Sequence, residues 1–250
     1  MKFKYQFSFI SVILGAVFFG ENFDFSLYSL FILLFVYVSF NVFLYGGIYT
    51  LNDVFDKKED SSHPTKRLRP IASGKVSLNS ATIFAFILIL IGLVSAFLYL
   101  GLNIFYLYLS FIVLNLLYSN ILKKIPFLEL LGNTITHPLR FLLGAAVFGS
   151  LVPVDAFLIY SLVPLGFSTA RRIFEKKFKS RNHRNTLSYY YSSDLYVIVY
   201  ASFILLVFFW LIYSPDNNRL FIIGILIYIF AVFGIIYMKR AIPFLKWLWL

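Results

Sequence analysis

The chain has 250 residues, of which 60% are apolar or aromatic in character, 21% are aromatic and only 13% are charged. Soluble domains run about 45–50% apolar with about 25% charged residues, so this composition excludes an ordinary water-soluble enzyme. The 22 Lys and Arg outnumber the 11 Asp and Glu, but their distribution tells more than their sum, and the absence of cysteine excludes disulfides, thiolate metal sites and thiol nucleophiles.

The chain opens MKFKYQFSFISVILGAVFFG, a basic start followed by an apolar run. No small-x-small cleavage site follows and further apolar segments come directly after, which predicts a retained first helix over 5–20. Further apolar runs lie at 26–50, 78–100, 103–119, 127–149, 154–172, 194–213 and 218–238, each near the ~20 residues that cross a bilayer as a helix. The strict alternation of a membrane barrel is absent, so the eight runs predict an all-α, polytopic membrane helix bundle. Residues 1–250 read as a single transmembrane domain, and the polar loops at 51–77 and 173–193 are too short to fold alone. The closing stretch 241–250, with Pro243, Trp247 and Trp249, is too short to cross and reads as interfacial.

Eight spans place both termini and the loops at 51–77, 120–126 and 173–193 on one side, together with every Lys and Arg except Arg140 and Arg219. By the positive-inside rule that face is cytoplasmic, and the protein is expected in the cytoplasmic (inner) membrane with its active-site loops inside. Topology and attraction to anionic lipid account for Lys2, Lys4, Lys239, Arg240 and Lys246. They do not account for the ordered patterns in the two larger loops.

The first pattern is Asn52-Asp53-Val54-Phe55-Asp56-Lys57-Lys58-Glu59-Asp60. Asp53, Asp56 and Asp60 share one face if the helix continues, a like-charge arrangement that a hard cation would relieve. Magnesium takes carboxylate oxygens, keeps waters and bridges to substrate phosphates. On the triplet alone, a solvated helix end is an equally good reading. Next comes His63-Pro64-Thr65-Lys66-Arg67-Leu68-Arg69-Pro70-Ile71-Ala72-Ser73-Gly74-Lys75, where Lys and Arg suit a phosphate or diphosphate and Pro and Gly fix a turn. In the predicted fifth span Glu129, Asn133, Thr136, His137 and Arg140 fall on one helix face. An intramembrane Arg costs several kcal/mol unless it meets a cavity or a partner, so that face should line a watery pocket; a structural Arg bonded within the bundle is the alternative, and a single His is more often a packing group than a base. The sixth span ends Arg171-Arg172-Ile173-Phe174-Glu175, followed by Arg184-Asn185-Thr186-Leu187-Ser188-Tyr189.

NDxxDxxxD at the end of the second span, with a following loop that ends RPIASG, resembles the UbiA superfamily of intramembrane prenyltransferases. The longer string NDVFDKKEDSSHPTKRLRPIASG is similar to the branch containing decaprenyl-phosphate phosphoribosyltransferase, which joins phosphoribosyl diphosphate to a polyprenyl phosphate. Tyr118-Ser119 with Leu122-Lys123 resembles the family's YS..LK element, and Arg140 with Gly144 its R…G pattern. Many superfamily members carry a second aspartate-rich motif after the sixth span, yet no aspartate occurs here between Asp155 and Asp194. The sequence also lacks the branch's N-terminal Arg, Trp and Lys-Asn element and a ninth span.

The resemblance implies a cytoplasm-facing cavity. Asp53, Asp56 and Asp60, with Asn52, would hold Mg2+ on the diphosphate of a soluble donor, while Lys66, Arg69 and Lys123 would neutralise the leaving group. Arg171, Arg172 and Arg184, with Glu175 and Tyr189, would hold the second phosphate, that of a polyprenyl lipid, and Tyr118, Glu129, Asn133, His137 and Arg140 would line the pocket. Two other outcomes stay open: transfer from a polyprenyl diphosphate to an aromatic or other small acceptor, and a non-catalytic lipid-phosphate binder or transporter. No feature beyond net charge points to nucleic acid, and a homo-oligomer is compatible with the sequence.

Overall fold

The computed structural model describes residues 6, 8–63, 66–178 and 185–237, without the side chains of 185 and 213–220. Among the described residues every regular element is helical. The chain forms two compact units, Met1–Ser119 with Leu139–Leu151, and Asn120–Pro138 with Val152–Leu250.

In the first unit α1 is Ile10–Phe19. α2, Leu27–Val36, starts at Ser26, whose side chain accepts the Ser29 N–H at 3.2 Å. It runs through a π-helical stretch, Tyr37–Leu44, into α3, Tyr45–Phe55, so that Leu27–Phe55 is one apolar rod of 29 residues. A short α4, Lys57–Ser61, follows. α5, Leu78–Ser95, is capped by Ser77 and lengthened by a π turn, Ala96–Leu100. α6 is Leu102–Asn120. On α5 the small residues Ala81, Ala85 and Gly92 with Ile89 face inward, while Ile83, Phe86 and Leu90 point outward and stay exposed. A helix that is apolar all round needs lipid, not water, on its outer side.

The unit's core joins Val36, Phe40, Leu44 and Ile48 of the long rod to Tyr108 and Phe111 of α6 and to Leu143. Leu143 belongs to α8, Thr136–Val147, which meets α1 at backbone distance. A Cβ at Gly144 would collide with the Val12 carbonyl, and one at Gly15 with the Phe141 carbonyl. Small residues permit such close approach of membrane helices. Gly144→Val is therefore expected to cost at least about 2 kcal/mol, as overpacking against backbone that cannot yield, and to show as a lower Tm and reduced monodisperse recovery in detergent.

In the second unit α7, Leu128–Thr134, precedes α8; α9 is Val154–Lys177, α10 is Ser192–Ile227, a π stretch covers Tyr228–Phe233, and α11 is Gly234–Tyr237. Its core gathers Leu130, Ile159, Ala170, Ile173, Leu195, Val199, Leu206 and Tyr228.

Among the described residues four helices are long and apolar enough to cross a membrane, Leu27–Phe55, Leu78–Leu100, Leu102–Lys124 and Ser192–Ile212, with Ile10–Phe19 and Phe221–Tyr237 as shorter apolar helices. Two differences from the expected spans have physical causes. The expected span 127–149 is interrupted, because Pro138 has no N–H and its ring excludes the Thr134 carbonyl, so α7 ends at Thr134 and a new helix takes Pro138 into its first turn. α9 runs past residue 172 to Lys177, so Arg171, Arg172 and Glu175 sit on a helix and not at a loop entrance. Finally, α10 is helical through 36 residues, yet Tyr228 Oη donates to the Val199 carbonyl at 2.6 Å. A straight helix would hold those residues about 43 Å apart. The chain therefore doubles back between the arms Ser192–Ile212 and Phe221–Tyr237, which agrees with two separate segments there.

Candidate active site

Asn52 and Asp53 occupy the last turn of α3. The helix kinks at Asp56 (φ −85°, ψ 2°), but the hydrogen bonds Asp56 N to Asn52 O (2.9 Å) and Asp60 N to Asp56 O (2.8 Å) carry the helical spacing across the kink. Asp53 and Asp60 thus share a face. Arg69 Nη1 touches both, Asp53 Oδ1 at 2.9 Å and Asp60 Oδ2 at 2.5 Å, and Lys66 Nζ stands 3.6 Å from Asp60 Oδ1. Asp60 is buried and Asp53 partly open.

The loop that presents Arg69 is held by its own backbone. Arg69 N donates to Lys66 O at 2.9 Å, Ser73 N to Arg69 O at 2.8 Å and Val76 N to Pro70 O at 3.1 Å. Gly74 turns the chain at φ +78°, a conformation glycine adopts without strain. Ile71 is buried beneath the loop, and Ser61 Oγ of α4 donates to the Ala72 carbonyl at 3.1 Å. Each residue of Arg69–Gly74 thereby helps to aim one guanidinium. Burial, followed by the nearby Lys66 charge, holds the His63 imidazole below its ordinary pKa, and its Nδ1 accepts the Lys66 N–H at 3.2 Å.

Asn52 Oδ1 accepts from Ser119 Oγ at 2.7 Å, so Ser119 orients Asn52 beside the half-buried Tyr118. From Asp53 and Arg69 a cavity of about 460 Å³ extends along the rod past Thr50, Tyr49 and Tyr45 to Asn41, residues one helical turn apart. Arg140 is buried with its guanidinium carbon 4.6 Å from the Tyr45 ring centre and 4.7 Å from that of Phe111. Its charge stands one aromatic ring behind the cavity wall and is stabilised by the two π faces.

No three His, Asp or Glu side chains converge as a metal cage among the described residues. The donor chemistry nevertheless suits magnesium, which takes one or two carboxylates and completes its shell with water and substrate phosphate. Asp53 at the cavity, Asp56 next along the chain and the second lone pair of Asn52 Oδ1 supply hard oxygens, whereas Asp60 is committed to Arg69 and Lys66.

The second unit holds a separate ionic network. Glu129, fully buried, takes Arg172 through two parallel bonds, Nε to Oε1 at 2.7 Å and Nη2 to Oε2 at 2.9 Å. Arg172 Nη1 also meets Glu175 Oε2 at 2.8 Å, and Arg171 Nε meets Glu175 Oε1 at 2.9 Å. The charges of two arginines and two glutamates cancel. Tyr190 completes the network: its Oη accepts the Phe127 N–H at 2.8 Å and donates to Glu129 Oε1 at 3.3 Å. Burial pushes its phenol up to about 12, so it keeps the proton it donates. The bond it makes with Phe127 pins a three-residue turn, with Phe127 at φ 64° and Leu128 N bonded to Pro126 O at 2.8 Å. Asn133 Nδ2 donates to Ser168 Oγ at 3.1 Å. Lys123 lies in the 3₁₀ turn Leu122–Lys124, His137 is half-buried and Tyr189 exposed. Arg184 lies outside the described residues.

Of the residues expected to act together, Asp53, Asp60, Lys66 and Arg69 are joined in the first unit, with Asn52 beside Asp53 in the chain and bonded to Ser119, and Glu129, Arg171, Arg172 and Glu175 are joined in the second. The predicted single polar face from Glu129 to Arg140 does not form as one helix, because the break before Thr136 divides it. Ser119, Tyr190 and Asn41 were absent from the expected site. Ser119 alone had a local signal, since it sits inside the Tyr118–Lys123 element.

A digeranylgeranylglyceryl phosphate synthase of Methanococcoides burtonii is 42% identical over 103 residues, 40% of this chain and 34% of that protein. A decaprenyl-phosphate phosphoribosyltransferase of Corynebacterium glutamicum is 42% identical over 65 residues, 25% of this chain and 20% of that protein. Both matches thus span well under half of the relatives' own length. A solved structure of a UbiA homolog from Archaeoglobus fulgidus bound to GPP and Mg2+ superposes with a TM-score of 0.72 at 18% identity, covering 95% of this chain and 86% of that one, which shows a shared fold. The model of the UbiA prenyltransferase family matches residues 8–243, and the chain, an integral membrane helix protein, belongs to that family of transferases.

Proposed function

We propose that the chain catalyses magnesium-dependent transfer of a phosphoribosyl group from phosphoribosyl diphosphate to a polyprenyl phosphate. The observation that carries this reading is the pairing of Asp53 and Asp60 on Arg69 at the mouth of a cavity backed by Arg140, a site built for anions with one acidic cluster. The match of the Corynebacterium glutamicum enzyme supports the same branch. In the reaction an oxygen of the lipid phosphate forms a bond to C1 of the ribose, the bond from C1 to the diphosphate breaks, and its electron pair leaves with the diphosphate. Asp53 and Asp56, with Asn52, would hold magnesium, whose charge would neutralise that diphosphate. Arg69, locked between two carboxylates, presents a preorganised guanidinium to the charge that builds on the leaving group, with Lys66 beside it. Lys123 belongs to the same role. Arg171 and Arg172, engaged by Glu175 and Glu129, act as positioning residues. The basic loops support an active site on the cytoplasmic side of the inner membrane.

A second reading has a polyprenyl diphosphate as donor. It is favoured by the longer match to the Methanococcoides burtonii synthase. Mass spectrometry of membranes given magnesium, phosphoribosyl diphosphate and polyprenyl monophosphate, with Asp56→Ala as control, separates them. A polyprenylphosphoryl phosphoribose made only by the unaltered chain is the expected result. Its absence, with a prenyl diphosphate consumed instead, would move the protein to the second reading, and no product from either pair would leave a non-catalytic lipid-phosphate binder.

A further inference from the structure

One end of the first unit's cavity is polar and lies away from the carboxylates. Asn41, in the π-helical stretch Tyr37–Leu44, lines this end and is 1% exposed. Its Nδ2 donates to Gln6 Oε1, which also accepts from Tyr37 Oη at 3.0 Å. Gln6 Oε1 accepts both bonds, and the Asn41 carboxamide stands with its nitrogen toward Gln6. Among the described residues its Oδ1 has no hydrogen-bond partner. Other polar groups along the wall are satisfied. Tyr45 and Tyr49 share a hydrogen bond of 2.7 Å, Thr50 Oγ1 donates to Gly46 O at 2.9 Å, and Asp53 is bound to Arg69. A buried acceptor with nothing to accept is costly and rare, and a single water there would need further polar partners to stay.

We propose that Asn41, oriented by Gln6, recognises a hydroxyl group of a phosphorylated substrate held in this cavity. The ligand's anionic end lies against Arg69 and its hydroxyl donates to Asn41 Oδ1. The rod between Asn41 and Asp53 rises about 18 Å, and side chains reach inward from both ends of the cavity. The chemistry is that of a hydroxyl-bearing phosphate ester, found both in the ribose of phosphoribosyl diphosphate and in the glycerol of a prenylated glycerol phosphate. This assignment rests on the transferase reading above and adds its specificity determinant.

Equilibrium binding to the full chain in lipid nanodiscs with magnesium tests it. Three probes are used: phosphoribosyl diphosphate, geranylgeranylglyceryl phosphate, and inorganic diphosphate, which has no carbon-borne hydroxyl. Asn41→Leu keeps the shape and removes the acceptor. It is expected to weaken a hydroxyl-bearing probe about tenfold, the weight of one hydrogen bond, and to leave inorganic diphosphate unchanged. An analogue of the bound probe that lacks the hydroxyl should bind the unaltered chain about tenfold more weakly and lose nothing further in Asn41→Leu. Equal loss on all probes, no loss, or an analogue as tight as its parent would overturn the assignment. That last comparison needs only the unaltered chain, so it decides even if Asn41→Leu does not fold. Tight phosphoribosyl diphosphate binding that Asn41→Leu leaves untouched, with no loss on the glycerol lipid either, sinks the role of Asn41 and keeps the phosphoribosyl reading. Selective loss on the glycerol lipid alone keeps Asn41 and overturns that reading. If neither hydroxyl-bearing probe binds, both fall.

Discussion

Arg69→Ala is expected to lower transfer at least about 10²-fold, the scale seen when a preorganised donor to developing charge is removed. It should also destabilise the protein, because the buried Asp60 loses Arg69 Nη1 at 2.5 Å and keeps only the half-exposed Lys66 at 3.6 Å. The two effects can be separated. Arg69→Met with Asp60→Asn removes both halves of the buried pair, so Tm should recover while turnover stays low. Arg69→Lys should fall short as well, since Nη1, the far tip of the side chain, makes both contacts and a lysine ammonium ends one bond nearer the backbone. If Arg69→Met with Asp60→Asn regains turnover along with stability, Arg69 is a structural clasp only and the electrostatic role assigned to it is wrong.

Glu129→Gln gives the second large effect. It leaves Arg172, almost fully buried, with half of its carboxylate partners, and breaking one side of such a pair costs about 3–5 kcal/mol. Replacing the pair by Glu129→Leu with Arg172→Met should recover much of that stability, because well-packed apolar residues substitute for buried ion pairs at little net cost. Thermal melts in detergent check the order, and transfer assays on the paired variant check the role. A positioning role predicts partial activity with a changed KM, whereas a direct grip on a lipid phosphate predicts no recovery of activity however stable the variant becomes.

Local patterns in the chain carry some of this structure and not the rest. NDVFDKKED and RPIASG lie within a few turns of each other, and the i, i+7 spacing that puts Asp53 and Asp60 together is a property of any helix, so that half of the site is readable before folding. The partner of Arg172 is not. Glu129 stands 43 residues earlier, and only the packing of α7 on α9 tells that a cation facing a phosphate in expectation faces a carboxylate in fact. The interruption before α8 could have been read from Pro138, yet hydropathy joins 127–149 because proline among apolar residues leaves the average unchanged. The kink at Asp56 keeps its hydrogen bonds and so leaves no trace in residue type. The return of the chain after Ile212 was legible in the polar Ser214-Pro215-Asp216-Asn217 even though helical dihedrals persist through it.

The π-helical stretch Tyr37–Leu44 has a consequence for how this site is aimed. A π turn holds about one residue more than an α turn, and each α-helical residue turns the chain by about 100°. The stretch therefore works like a rotary offset in a shaft: it sets the compass bearing at which everything downstream emerges. The direction in which Asp53 leaves the rod is decided by residues near Phe40 that touch neither carboxylate nor cavity mouth. An insertion or deletion there would swing the acidic end away from Arg69 without altering a single residue of the motif.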